Sequence, residues 1–149
     1  MDHRQPHRSC YSALGEPLSR AIWHNHHMFI VTRHRVPLAS RETWLEQARE
    51  AIAPLALQKG CLGVEIGSAT DDADLISIVS RWTGVGDYRR ALSAFDVKAS
   101  SIPFLSTAID EPSAFETLHR RVGEDVFDAT ASRAFDADTF NLGDSLIDE

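Results

Sequence analysis

The sequence predicts an α+β domain in which helices cover one face of a four-stranded antiparallel sheet. Segments with the alternation of strands and segments with the apolar spacing of helices follow in the order strand, helix, strand, strand, helix, strand. Only a short polar turn separates the two middle strands, as in a hairpin. With 149 residues, of which 43% are hydrophobic and 25% charged, the chain fits one ordinary globular domain.

The first half of the domain contains a strand, a helix and the hairpin. Residues 28–36, MFIVTRHRV, are rich in β-branched side chains and predict the first strand. A helix is expected between Ser40, a candidate N-cap, and Gly60, which is placed to end it. The alternating residues 61–70 and the apolar residues 74–83 predict the two strands of the hairpin.

The second half supplies the other helix and the last strand. The apolar spacing between Gly84 and Phe95 predicts a helix, and Asp96 is a candidate cap for a further short helix that Pro103 interrupts. Residues 113–121, SAFETLHRR, are the last strand candidate. This order of elements is that of a ferredoxin-like βαββαβ sandwich.

The chain divides into three parts. Residues 1–27 show no sustained period and predict a flexible leader, residues 28–120 form the domain, and residues 121–149 predict an acidic, disordered tail. A strand that begins directly at Met28 leaves two interpretations of the leader open. It is either a genuine flexible arm or a segment ahead of a natural translation start at Met28.

The charge distribution argues against a nucleic-acid partner. The net charge of −7 comes from the C-terminal part of the chain, because residues 110–149 carry three Lys+Arg against eleven Asp+Glu, whereas residues 28–109 carry nine of each. A neutral domain has no electrostatic reason to approach phosphate backbones. No segment reaches the roughly 18 apolar residues of a membrane span. We therefore expect neither nucleic acid nor membrane as a partner, and a cytoplasmic location.

Strand alternation sorts the side chains of the sheet into two faces. We assign two sets to the face beneath the helices: Ile30, Thr32, His34 and Val36 on the first strand, and Ile76, Ile78, Ser80 and Trp82 on the third. This assignment predicts that His34 points into the region of Trp82.

The opposite face of the sheet has no helix to cover it. A broad apolar sheet face is unusual on a soluble monomer, so we expect a homodimer that buries sheet against sheet. Arg33, Arg35, Glu65 and Arg81 would then face the partner subunit, where opposite charges could pair.

Residues 28–119 resemble the antibiotic biosynthesis monooxygenase domain family. The resemblance rests on the strand MFIVTRHRVP, the Ala- and Leu-rich helix, the turn SRWTGVGDYRRAL and the ending DVKASSIPFLSTAIDEPSAFE. It implies a dimeric α+β barrel of ferredoxin-like subunits with a pocket between sheet and helices. The family includes cofactor-free oxygenases that convert anthrone-like polyketides to quinones, haem-degrading enzymes and enzymes that process signal molecules.

The resemblance also implies site residues. Trp82 matches the family tryptophan, and Tyr88 matches the tyrosine that lines the pocket of the quinone-forming members. Those members have a substrate-orienting asparagine where this chain has Ile78, which cannot form a hydrogen bond. The substrate or its orientation therefore differs, or catalysis has been lost. Haem-degrading relatives carry a ligand histidine in the second helical region, and residues 84–109 contain none.

The residues themselves nominate His34 as a proton acceptor. It is the only histidine between Met28 and Leu118, and an ordinary histidine pKa of about 6.5 suits removal of a phenolic or carbon-bound proton. A hydrogen-bonded structural role is the alternative for His34, as a core role is for Trp82. We expect His34, Tyr88 and Trp82 to be catalytic. The expected substrate-binding residues are Thr32, Ile78 and Ser80.

No motif indicates a bound cofactor or metal. The segment Gly84–Gly86 lacks the lysine and the length of a phosphate loop, and no dinucleotide fingerprint is present. Cys10 and Cys61 are too far apart in sequence to indicate a zinc site. The sequence thus predicts a cofactor-independent monooxygenase of an aromatic polyketide-like or phenolic molecule. The alternative is a non-catalytic ligand-binding or structural dimer, and convergence of His34, Tyr88 and Ser80 on one cavity would favour the enzyme.

Overall fold

The structure, a computed structural model, describes residues 27–130. The predicted leader up to residue 26 and the tail from residue 131 onward lie outside the described residues. Within them, four strands form one antiparallel sheet in the order β2-β3-β1-β4. The strands are β1 (Met28–Arg35), β2 (Cys61–Ser68), β3 (Leu75–Trp82) and β4 (Ala114–Glu116). This order is that of the predicted ferredoxin-like fold.

In the described part of the chain, three helices cover one face of the sheet. They are α1 (Arg41–Ala56), α2 (Val85–Ser93) and the short α3 (Ile102–Leu105), which continues a π-helical turn at Val97–Ser101. A 3-10 turn at Leu38–Ser40 leads into α1, and the Ser40 side chain makes no capping bond because its backbone is already helical. The helix was predicted to reach Phe95, but α2 ends at Ser93 and the Phe95 ring is exposed.

Gly60 does not end α1 but forms the turn into β2. The helix ends at Ala56, and Gly60 follows with φ of +86°. A Cβ at this position would also overlap the side chain of Asp87 at the start of α2. Glycine is required here for both reasons, since other residues are strained at positive φ. The N–H of Thr83 donates to the Gly60 carbonyl at 2.9 Å, so this turn joins β2 to the end of β3.

The core lies between the sheet and the helices, on the predicted face. Burial alternates along β1 and β3, with the even-numbered residues on the helix side. The hydroxyl of Ser101 donates to the Ala51 carbonyl at 2.6 Å and ties the π-helical turn to α1. The central cluster of buried apolar side chains consists of Met28, Ile30, Leu55, Trp82, Ala91 and Val97.

The end of the domain differs from the prediction. Only Ala114–Glu116 of the expected last strand joins the sheet, and His119–Val122 pairs instead with Asp125–Asp128 as a separate hairpin, β5 and β6. The prediction of disorder from residue 121 is therefore wrong as far as Asp128. Gly123, with φ of +61°, supplies the conformation that a two-residue hairpin turn needs.

The charged residues of the uncovered face pair within the chain. Arg33 and Arg81 were expected to meet opposite charges of a partner subunit, but Arg81 bonds Glu65 on the neighbouring strand at 2.9 Å. Arg33 forms a bidentate pair with Glu111, at 2.6 and 2.5 Å. Arg35 likewise reaches Asp72 at 2.5 Å. On the same face Val31 and Val79 are direct cross-strand neighbours and form a small apolar centre. Arg33 and Arg81 lie two positions further along the two strands, so charged pairs flank this centre.

Candidate functional site

His34 lies at one end of the helix-covered face, beneath α1 and α3. Its side chain is almost fully enclosed, with a relative exposure of 1%. The rings of Trp44 and Phe104 pack against it, with centroids 5.2 and 5.9 Å away, and they contact each other at 5.2 Å. The imidazole is thus held in an aromatic setting. Burial lowers the pKa of His34 below its ordinary value, since the charged form loses its hydration.

Each ring nitrogen of His34 lies near a threonine hydroxyl. Thr107 Oγ1 lies 3.5 Å from Nδ1, and Thr107 already donates its own proton to the Phe104 carbonyl at 2.7 Å. Its oxygen is therefore available to accept from the imidazole in the tautomer that carries the ring proton on Nδ1. Nε2 is left to accept from the Thr32 hydroxyl, 3.1 Å away. In this tautomer the imidazole is a neutral base, and its unprotonated nitrogen is hydrogen-bonded to Thr32.

Trp82 lies at the other end of the same face. It has no exposed surface, and its Nε1–H donates to the Ser80 hydroxyl at 2.9 Å. The ring of Tyr88 on α2 meets it edge-on, with centroids 5.3 Å apart. Burial raises the pKa of the Tyr88 hydroxyl. Trp82 and Tyr88, the two residues matched by the sequence resemblance, are therefore in direct contact.

The prediction that His34 points into the region of Trp82 is wrong. Strand pairing sets Trp82 opposite Met28, whereas His34 is opposite Ile76, six positions along β1. At roughly 3.3 Å per residue, this separates the two ends by about 20 Å. The two residues share a face because their parity agrees, but antiparallel register sends them to opposite ends. His34, Tyr88 and Ser80 therefore do not converge on one cavity.

Thr32 and Ile78 lie between the two ends, directly opposite each other on β1 and β3. Thr32 is 8% exposed and borders a cleft of about 280 Å³ at the edge of the sheet. The cleft opens where β4 stops: the Val31 N–H still bonds the Ser113 carbonyl, and the Ile109 N–H bonds the Arg33 carbonyl, each at 2.8 Å. The lining residues are Val31, Thr32, Leu105, Ser106, Ala108, Ile109, Asp110, Glu111 and Ser113.

Three residues of the His34 environment were missed from the sequence. No role was predicted for Trp44, Phe104 or Thr107. Thr107 is 73 positions from His34, so no local pattern connects them. The one usable signal was the presence of an aromatic residue on each helical segment that must pack on the end of β1.

Metal and membrane features are absent from residues 27–130. No group of three or more His, Cys, Asp or Glu side chains in this range is arranged to hold a metal ion. Over the same range, no helix combines the length and the apolar character needed to cross a membrane.

The architecture defines a ferredoxin-like α+β domain, and solved structures share it. A conserved protein of unknown function from Bacteroides thetaiotaomicron, described as a possible oxidoreductase, is 18% identical with a TM-score of 0.52 over 62% of this chain and 99% of its own. A conserved protein from Methanosarcina mazei is 12% identical with a TM-score of 0.52, over 64% of this chain and 97% of its own. At such identities these similarities concern the fold alone.

The sequence comparison agrees with the resemblance. Residues 28–99 match the family model of the antibiotic biosynthesis monooxygenases. A structure from Deinococcus radiodurans named as a candidate enzyme of this type is 14% identical, with a TM-score of 0.50 over 60% of this chain and 91% of its own. No curated protein matches the sequence.

Proposed function

We propose that this protein is a monooxygenase that oxidises a small phenolic, polyketide-like molecule with O₂ and without a bound cofactor. The observation that carries the proposal is the neutral, buried His34, whose Nε2 is linked through Thr32 to a cleft of about 280 Å³. A general base needs an unprotonated nitrogen and a route to the proton that it takes. His34 has both, in a domain that matches the monooxygenase family model.

The reaction begins with proton removal from the electron-rich aromatic molecule. The resulting carbanion or phenolate passes one electron to O₂, and the radical pair combines to form a C–O bond as a peroxide. Cleavage of the O–O bond with loss of the remaining C–H proton gives a carbonyl and water. A CH₂ group and O₂ are thereby converted into C=O and H₂O, so that O₂ is the only oxidant required.

The proton transfer sets the class of substrate. A simple phenol has a pKa of about 10, while the pKa of His34 lies below 6.5. At ~1.4 kcal/mol for each unit of pKa difference, transfer of the proton from the phenol to His34 is unfavourable by about 5 kcal/mol or more. The anion is then a transient species that oxygen must trap. Substrates whose hydroxyl or CH₂ group is more acidic than a simple phenol reduce this cost.

Within this proposal Trp82 and Tyr88 stabilise the other end of the helix-covered face, where Ser80 holds the indole in place. Ile78, opposite Thr32, is buried beneath the helices and does not line the cleft. The second candidate function is a non-catalytic small-ligand-binding or structural dimer. The complete burial of Trp82 favours it, since an enclosed indole cannot contact a substrate.

We also propose a cytoplasmic homodimer that joins the uncovered faces of two sheets. The apolar centre formed by Val31 and Val79 supports this arrangement, since its removal from water stabilises association. The charged pairs around it would form a polar rim.

Oxygen uptake tests the enzymatic proposal. Purified protein that contains no metal or flavin is mixed with hydroxylated anthrones, and O₂ consumption and quinone formation are measured with and without a chelator. We expect one quinone formed per O₂ consumed, with no effect of the chelator. If no compound of the series raises uptake above the buffer rate while some bind, the non-catalytic function replaces the enzymatic one.

A further inference from the structure

We infer that the substrate binds in the cleft beside Thr32, and that the Thr32 hydroxyl receives its proton while handing its own to His34. The site of chemistry then lies at the β1 edge rather than beside Trp82 and Tyr88. The choice of a phenol as ligand rests on the proposed function, whereas the location rests on the geometry of the cleft.

One chain segment forms both the wall of the cleft and the cover over His34. Phe104 packs on the imidazole and Thr107 contacts its Nδ1, while Leu105 and Ile109 line the cleft. A ligand in the cleft is therefore separated from His34 by this segment and by Thr32. His34 cannot touch the ligand itself and must act through the hydroxyl.

The direction of the hydrogen bonds fits a relay from the cleft inward. In the tautomer with the ring proton on Nδ1, which the Thr107 oxygen can accept, the Thr32 proton points to Nε2. The Thr32 oxygen then remains free to accept a hydrogen bond from a ligand. As the ligand O–H proton moves to this oxygen, the Thr32 proton moves to Nε2. The products are a ligand anion and an imidazolium, so charge is conserved and the threonine is restored.

The charges of the cleft favour a neutral ligand. Asp110 and Glu111 line its mouth, and although Arg33 neutralises Glu111, a carboxylate remains at Asp110. An anionic ligand would be repelled, whereas an uncharged phenol can place its ring against Leu105 and Ile109. The Thr32 oxygen would accept the bond from its hydroxyl.

The end of the sheet face at Trp82 is less suitable for binding a ligand than the cleft at Thr32. Trp82 is fully enclosed, and its indole N–H is already paired with the Ser80 hydroxyl. Binding there would require this pair to open. The cleft at Thr32 requires no such rearrangement.

The test is a nuclear magnetic resonance titration of the full chain with 1-naphthol, and with 1-naphthoate as the anionic match. We expect naphthol to shift the backbone signals of Ala108 and Ile109 and the ring signals of His34 in a saturable way, with naphthoate at least about 10-fold weaker. Thr32→Val should keep the backbone shifts and lose the His34 response. Thr32→Ser should restore it, and Thr43→Val on the exposed side of α1 should change nothing.

A second variant approaches the cleft from the opposite wall. Ala108→Phe should fill it and abolish naphthol binding while the His34 signals stay in place. The inference is overturned if naphthol moves the signals of Trp82 and Tyr88 instead, if Thr32→Val keeps the His34 response, or if Ala108→Phe binds naphthol as the wild type does.

Oxygen uptake on the same samples separates this inference from the proposed function. Binding with a His34 response but no uptake of O₂ rejects the oxygenase and leaves the relay. Uptake that Thr32→Val and Ala108→Phe do not reduce rejects the relay and leaves the oxygenase.

Discussion

The indole Nε1–H of Trp82 donates to the hydroxyl of Ser80 at 2.9 Å, two positions earlier on the same strand, and both groups are buried. A single hydroxyl thus satisfies the only polar atom of the largest side chain in the core. Neither group has water to replace its partner, which makes the pair sensitive to changes on either side.

Ser80→Ala should therefore destabilise the protein by about 1–3 kcal/mol, because it leaves a buried N–H without an acceptor. The free energy of unfolding is measured by urea denaturation. Ser77→Ala, on the opposite face of the same strand, is the matched control and should cost less. Equal losses in the two variants would show that the bond to Trp82 contributes nothing.

Gly60→Ala should lower the free energy of unfolding by about 1–3 kcal/mol, since alanine is strained at a φ of +86° and its Cβ would overlap the Asp87 side chain. Gly63→Ala is the control, because Gly63 has open space around its Cα and no positive φ. Thermal or urea unfolding of both variants gives the comparison. If Gly60→Ala unfolds like Gly63→Ala, the turn between α1 and β2 is not constrained as described.

Stability should fall in mild acid because of His34. Its pKa is lowered in the folded protein from an ordinary value of 6.5, so below that pH the unfolded chain binds a proton that the native state does not. The free energy of unfolding is unaffected by this group above 6.5. It decreases as the pH falls from 6.5 toward the folded-state pKa.

His34→Gln should remove the part of this acid dependence that His34 causes, as measured by urea unfolding between pH 7.5 and pH 5 at about half-unit steps. His119→Gln, at an exposed position of the β5–β6 hairpin, is the control and should keep the loss. An unchanged pH profile in His34→Gln would mean that the imidazole is not held neutral by its burial.

Val79→Lys should convert the proposed dimer to a monomer, because it places a charge in the apolar centre of the uncovered face. Glu65, its cross-strand neighbour on β2, can pair with the new lysine, so the fold itself should be retained. Light scattering at micromolar concentration gives the mass. Leu57→Lys, at a residue 86% exposed at the end of α1, is the control. A wild type that is already monomeric would refute the dimer.

The sequence by itself determined the order of the main elements and which residues of each strand share a face. Period-2 alternation groups His34 with Thr32 on β1, because successive side chains of a strand must point to opposite sides, and the structure shows that this group lies beneath the helices, as assigned. The hairpin β5–β6 was also within reach, since Gly123 marks its turn. The acidic composition of the tail hid this signal.

Only the tertiary structure decided which side chains meet. The pairing of β1 with β3 joins residues about 50 positions apart, and this register sends His34 and Trp82 to opposite ends of one face. Alternation shows which side chains of a strand share a face, but it does not show which side chains of a neighbouring strand lie beside them. Thr107 reaches His34 because α3 packs over the end of β1, and the cleft at Thr32 exists because β4 is short. Such contacts depend on how distant segments pack together, which no local period encodes.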